Sequence, residues 1–416
     1  VLWFCATAGL LIYFFLVASP ADRNVTVNTL LLGIGAATIS LPLGSCLAWV
    51  CRGHHFLARI SLILTVALLV VPVFLHVSMW DAAFGRLGWL TSAEGQVLIP
   101  LISGWQAAIW IHGVAAAPQV ALLLLLGITT GRRVYEEQAL LETSRWGVFC
   151  NVTIRRLSPL LVLSVLWTMI VSAREIAATD LYQIGTLAEQ IYLGYSLGQF
   201  NSLVGNWSPE QLAAAGNLNT TVTIIVIGWL AITASCIFFR LTEPEWHAEN
   251  WRPWTGSRHS GFVKNLSGVL LLLVLAVIPV LNLLLRCSYF VQPLNGEPTP
   301  GYSWSQLATT LGRAGRDYTA EFTWSFLIAA VASTAILGLG LMVAWLARRS
   351  RVWQFVFVVS LSISFAVPGP LMGSWINQLF ASSEHLWVVW LYDRTICAPV
   401  MACAWFFWPL APLVIW

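Results

Sequence analysis

Gly44-Ser-Cys-Leu-Ala-Trp-Val-Cys-Arg52 returns 296 residues later (340 − 44) as Gly340-Leu-Met-Val-Ala-Trp-Leu-Ala-Arg348. Working outward, residues 28–80 lie over 324–376 without a gap. Leu31 meets Leu327, Ala36 meets Ala332, Thr38 meets Thr334 and Leu41 meets Leu337. Further on, Val71-Pro72 meets Val367-Pro368, Leu75 meets Leu371 and Ser78 meets Ser374. Two long apolar segments, the basic loop joining them and a mid-segment proline recur in one order. That pattern predicts a transporter of two like halves around one path, with the substrate site near their interface.

Composition places those halves in a bilayer. Hydrophobic residues make up 58% of the chain and charged residues 9%, against about 25% charged in soluble domains; the mean hydropathy is +0.78. Apolar stretches near 2–18, 27–51, 57–80, 105–128, 157–178, 219–239, 265–285, 322–347, 352–376 and 396–416 are long enough to cross, since a spanning helix takes about 20 residues. They are continuously apolar rather than alternating, which predicts helices and not a barrel. The predicted fold is therefore all-α: a polytopic helix bundle with a parallel repeat of six-helix halves, the second incomplete after four. A net charge of +3, dispersed along the chain, gives no sign of a nucleic-acid partner.

The basic residues set the orientation. With the N-terminus in the cytoplasm, the inside loops hold Arg52, Arg59, Arg132, Arg133, Arg145, Arg155, Arg156, Arg240, Arg252, Arg258, Lys264, Arg348, Arg349 and Arg351. The outside loops hold half as many, Arg23, Arg86, Arg174, Arg286, Arg313, Arg316 and Arg394, so the positive-inside rule selects this arrangement. Six crossings precede the second copy, which makes the repeat parallel. Residues 1–250 form the first half, 251–264 a cytoplasmic linker rich in Pro and Trp, and 265–416 the second half. The chain starts at Val1 and stops at Trp416 inside an apolar run; both ends read as cut, with no signal peptide identifiable. The eight cysteines are scattered and read as small buried apolar residues, so neither a metal site nor a disulfide is expected.

Two outside stretches exceed plain connectors. In 180–218, Ile184 to Tyr192 has helical spacing and predicts a short interfacial helix. The other, 287–321, is rich in Pro, Gly, Tyr and Ser and is expected to be irregular. Either rests on an extracytoplasmic partner or only caps the bundle.

Residues 131–159 form a cytoplasmic loop too long to be a plain connector. Glu136 to Leu141 reads as a short helix with acidic residues in its first turn. Ala139 and Leu140 give it a small apolar face suited to a partner's groove. Trp146, Val148 and Phe149 are expected to hold the stretch against the bundle, with Pro159 at the mouth of the fifth segment, where an early proline costs little.

Here the residues resemble a known family. Glu137-Gln138-Ala139 is similar to the Glu-Ala-Ala of the cytoplasmic loop of ABC-importer permeases, and Ser144-Arg145-Trp146 to the Ser-x-Trp that follows it. Val152-Thr153-Ile154 with Pro159 resembles the family's Val-Thr-Leu-Pro-Leu-Leu-x-Pro, with Arg155 in place of the first Pro. Ser172-Ala-Arg-Glu-Ile-Ala-Ala-Thr179 resembles the Arg-Glu-Leu-x-Ala-Thr of permeases of the iron(III), thiamine and sulfate type. The resemblance implies that Glu136, Glu137, Gln138, Ala139, Leu140, Ser144 and Trp146 dock ATP-hydrolysing subunits. It also implies an extracytoplasmic solute-binding protein, a small solute such as iron(III) or thiamine, and a place in the bacterial inner membrane. Together with the repeat, it leads us to expect a second coupling loop beyond Trp416.

Hydrolysis itself would belong to the partner, because the chain has no Gly-x-x-x-x-Gly-Lys-Ser/Thr loop and its only lysine is Lys264. No His-Glu-x-x-His or other paired catalytic spacing occurs, and no cofactor is expected. Arg174 and Glu175, at the outer end of the fifth segment, are candidates for an outer gate or for docking the binding protein, each pairing with other groups; the alternative is a structural ion pair or snorkelling. Pro72 and Pro368 are candidates for pathway-shaping kinks. His76 and His112 read as hydrogen-bonded structural residues. The rival reading is an ion-gradient-driven transporter with a two-times-six-helix repeat, which would carry buried carboxylates in mid-helix.

Overall fold

Pro20–Cys51 forms one 32-residue helix, α1, on which several of the described helices up to residue 196 pack. The computed structural model describes residues 20–52, 56–85, 88–93, 96–97, 100–130, 133–196, 261–294, 297–350, 369–381 and 385–407, with isolated positions between 352 and 367. The apolar segments expected at 2–18 and 219–239, and most of the linker, lie outside these residues. In chain order α1 is followed by α2 (Phe56–Leu69), α3 (Val73–Phe84), a two-residue hairpin β1–β2 (Ser92–Ala93, Gln96–Val97) and α4 (Gly104–Thr130). Next come α5 (Arg133–Glu142), α6 (Arg145–Val148), α7 (Ile154–Arg174), α8 (Ala177–Leu181) and α9 (Leu187–Ser196). The second half supplies α10 (Phe262–Leu272), α11 (Ile278–Ser288), an antiparallel hairpin β3–β4 (Tyr289–Leu294, Glu297–Tyr302) and α12 (Trp304–Asp317). It continues with α13 (Thr319–Arg349), α14 (Gly369–Ala381), α15 (Leu386–Arg394) and α16 (Cys397–Phe407).

Among the described residues, five helices are long and apolar enough to cross a membrane, or seven if two bent pairs each count as one span. The chain is thus a helical membrane protein. Lipid offers no hydrophobic drive for helices to associate, so they must pack closely on small residues. Gly44 and Gly113 do this between α1 and α4: a Cβ at Gly44 would stand 2.6 Å from Val120, and one at Gly113 the same distance from Ile39. The core these contacts organise contains Leu47, Val50, Val114, Val120, Leu124, Leu160 and Leu163, with Leu271 and Leu275 added from the second half. Ser40 and Thr168 hydrogen-bond across α1 and α7 at 3.1 Å, and the Trp167 indole donates to Gln119 on α4 at 2.6 Å.

Four expectations change. The segment at 57–80 is not one kinked helix: α2 and α3 meet at 106°. Pro72, with φ −69° and ψ 152°, stands before the first turn of α3, where extended backbone ends one helix and starts another. Pro159 does not open its span either, since the helix runs on from Trp146 to Arg174 through a π turn at Phe149–Thr153. Its missing N–H frees the Arg155 carbonyl, and the Ser158 hydroxyl donates to that carbonyl at 2.8 Å. The 287–321 stretch is a hairpin followed by a 14-residue helix. Of the described cysteines only Cys51 is buried, and Cys46 is exposed; on a membrane helix a small apolar side chain serves equally well facing outward.

Candidate functional site

The 131–159 loop folds as two short helices set by local signals. α5 spans Arg133–Glu142, longer at both ends than the six residues expected, and the Thr143 N–H closes its last turn on the Ala139 carbonyl. Ser144 then caps α6: its hydroxyl accepts from the Gly147 N–H at 3.2 Å, and its carbonyl accepts from the Val148 N–H. This cap is what Ser144 contributes to the Ser144-Arg145-Trp146 stretch. It starts a helix in which Trp146 and Phe149, three residues apart, share a face and bring their rings within 5.4 Å.

That face points outward. Leu141 is 87% exposed and Trp146 72%, while Leu140, Phe149 and Ile154 are exposed beside them. Gln138 and Ser144 are exposed and Ala139 is half-buried. Glu136 and Glu137 belong to α5, but their side chains lie outside the described residues. Of the three residues expected to hold the loop against the bundle, only Val148 is buried. The cap explains the difference, because it turns Trp146 and Phe149 to one side and leaves Val148 on the other.

The span that begins at Trp146 ends at Arg174, about 43 Å away at the rise of an α-helix. Arg174 is half-buried in the last turn of α7, where a cation suits the helix dipole. Glu175 does not pair with it. Its two carboxylate oxygens accept from the Ala177 and Ala178 N–H groups at 3.1 and 3.2 Å, capping α8. Burial pushes the Glu175 carboxyl above its usual range, opposed by the backbone N–H groups of Ala178, Ala177 and Ile176.

Beyond α8, Gln183 takes φ 55°, a left-handed turn that stops the helix. The chain then enters α9 through Thr186-Leu-Ala-Glu189, in which the Glu189 carboxylate accepts from the Thr186 N–H at 3.3 Å. This is half of a capping box. Asn28 donates to the Gly185 carbonyl and the Leu187 N–H donates to the Thr29 hydroxyl, both across to α1. Ile184, Thr186, Leu187 and Ala188 are buried, and α9 packs on α1, α7 and, in the second half, α14. The helix expected at 184–192 exists, but one face is docked on protein rather than on lipid.

Between the halves, α3 packs on α11 and α4. Val77, Trp80, Ile111 and Ala178 form a small core there, flanked by Tyr182, Val274 and Ile278, with the Trp80 and Trp110 rings edge-to-face at 5.1 Å. Burial, and then the nearby Asp81 carboxylate, push the Tyr182 phenol above its usual range. His76 and His112 are buried as expected of structural residues, yet neither His76 nitrogen nor the His112 Nε2 has a hydrogen-bond partner. Asn282, buried on α11, has an unpartnered Nδ2. No pattern in the sequence marked Asn282, and Tyr182, which reads in the sequence as an ordinary headgroup-belt tyrosine, instead flanks this core. Pro368 lies outside the described residues, and α14 begins at Gly369. Among the described residues no three metal-ligating side chains come together. No protein-family model, no curated protein and no solved structure matches the chain.

Proposed function

We propose that this chain is the membrane permease of an ATP-driven importer of the ABC type, moving a small solute inward across a bacterial inner membrane. The observation that carries the reading is the loop at 133–154. A helix and a capped turn lie where the family resemblance puts the ATPase-docking segment, and they present Leu140, Leu141, Trp146 and Phe149 to solvent together. Exposed apolar side chains on an otherwise polar loop suit a partner's groove. ATP hydrolysis then belongs to two nucleotide-binding subunits, and the chain itself is no enzyme. An extracytoplasmic binding protein delivers the solute. Iron(III) is the first candidate and thiamine or another small solute the next, on the resemblance of Ser172 to Thr179.

The two-half architecture has support in the packing. Ala332, Gly340, Ala344 and Ala347 are the buried residues of α13, and 296 residues earlier Ala36, Gly44, Ala48 and Cys51 are buried on α1. Leu31 and Trp49 face outward, as do Leu327 and Trp345. α14 starts 296 residues after α3 (369 − 73). α1 packs on α4 and α13 on α16, in each case the second apolar segment of its half against the fourth.

One observation favours the second reading, an ion-gradient-driven transporter. Asp81 and the buried His76 share α3, a half-helix behind a sharp break, and ionisable groups on broken membrane helices often serve ion coupling. Purification of the full-length protein under gentle conditions separates the two. The ABC reading expects a stoichiometric ATPase subunit and uptake that stops when ATP is depleted. Uptake that follows the proton gradient with no ATPase bound would falsify it.

A further inference from the structure

α12 sorts its residues by side. Trp304, Leu307, Ala308, Leu311, Ala314 and Gly315 recur at three- and four-residue spacing and so share one side, which Tyr318 extends. Ser305, Gln306, Thr309, Arg313, Arg316 and Asp317 take the other. The protein uses only one flank of the apolar side. Leu307 is buried, Ala314 is half-buried, and Thr310 donates to the Cys287 carbonyl at the end of α11 at 3.4 Å. The other flank is open: Trp304 is 84% exposed, and Ala308, Leu311 and Tyr318 are exposed with it.

Two further observations identify what covers it. Tyr318 joins α12 directly to α13, a membrane-spanning helix whose first turns expose Phe322 and Phe326 at four-residue steps. The open flank therefore runs into a surface that faces lipid. The order of residue types across α12 also suits a bilayer surface, with Trp and Tyr at the ends of the apolar flank and Arg313 and Arg316 on the polar side. The side of the membrane follows from packing. α11 packs on α3, and α3 shares its small core with Ala178 and Tyr182, which follow the end of α7. Since α7 starts at the 131–159 loop, α12 is on the opposite side.

We propose that α12 lies in the bilayer surface of the leaflet opposite that loop. Its Trp304–Leu311–Tyr318 flank sits at the boundary of headgroups and acyl chains, and Arg313 and Arg316 reach the level of the lipid phosphates. In this position the helix fixes the depth of α13 and anchors the β3–β4 hairpin at the end of α11. The proposal does not depend on the energy source for transport.

The test is photocrosslinking of the full-length protein in nanodiscs of phosphatidylethanolamine and phosphatidylglycerol, with benzoylphenylalanine placed at Leu311 or at Thr309. Intact mass reads the lipid adduct. A several-fold larger adduct at 311 than at 309 is expected. Equal adducts at the two positions, or none at 311, overturn the proposal. So does a crosslink from 311 to a protein instead of lipid when the same variant is irradiated in cells, which would make the flank a protein-docking face. Tyr318, where the probe replaces one aromatic ring by another, gives the same reading if the Leu311 variant misfolds.

Discussion

Glu175 stands out by chemistry in the sequence, and the structure gives its carboxylate a defined task. Each oxygen holds a backbone N–H at the start of α8, so Glu175→Ala is expected to cost about 1 kcal/mol, the usual worth of such a cap, read as a lower unfolding temperature in detergent. Burial raises the carboxyl's folded-state value above its unfolded one. Its ionised form is therefore penalised by folding: the contribution is most favourable below about pH 4.3, the ordinary glutamate value, and declines as pH rises through the folded value. Glu175→Gln, with no charge to desolvate, should flatten that part of the stability profile. The gate role expected for Glu175 predicts that this variant also loses uptake at normal membrane expression, and unchanged uptake leaves the cap as its whole role. Gly44 and Gly113 matter for the opposite reason, having no side chain at all. Gly113→Leu would force a branched side chain into Ile39 and the Ala36 carbonyl. It should destabilise by at least about 1–3 kcal/mol, as overpacking does, with loss of monodisperse protein on gel filtration as the measurement.

At the scale of elements, the break between α2 and α3 is held by little besides Pro72 and the packing of α3. The Val70 and Val71 N–H groups close α2 on Ala67 and Leu68, and the Leu75 N–H opens α3 on Pro72. Pro72→Ala restores an N–H and removes the steric bar to a continuous helix, a preference of about 3 kcal/mol within a helix interior. We expect spin labels on α2 and α3 to move apart as the 106° bend straightens, and uptake to fall while membrane insertion persists. An unchanged label distance would mean that the packing of α3 on α11 sets the bend unaided. The π turn at Phe149–Thr153 is the other irregular element near a proposed site. It lies between the exposed loop and α7, so a push on Trp146 has one helical path to the Glu175 end.

Taken whole, the described helices pack with unequal tightness, and those after residue 260 meet the earlier ones where α10 meets α1 and α2, α11 meets α3 and α14 meets α9. α1 is enclosed by α4, α7, α9 and α10, while α13, of nearly the same length, packs chiefly on α16 and leaves most of its surface open. The coupling prediction belongs at this scale, because it needs a second protein. Replacing both Leu140 and Leu141 by Asp puts charge where a groove would receive apolar side chains. The pair should abolish co-purification of an ATPase subunit without changing the fold of a chain in which both residues are already exposed. If an ATPase subunit still binds at full stoichiometry, the loop is not its seat.

Much of this was legible in the sequence because it depends on periodicity and composition, which act locally. The continuous apolar runs specified helices, and the helical spacing at 136–141 and 184–192 specified two short ones. Three things were not legible. A proline in an apolar run permits a kink or a break, and only the packing of α3 across α11 and α4 decided for a break of 106°. Tyrosine, glycine and proline in 287–321 are equally compatible with a loop, and the hairpin formed because Tyr289 and Tyr302 pair at its open end, with their rings 5.7 Å apart. An amphipathic segment says that one side will be covered but not by what. α9 found protein and α12 left a flank open, a distinction between neighbours that only the tertiary structure could make.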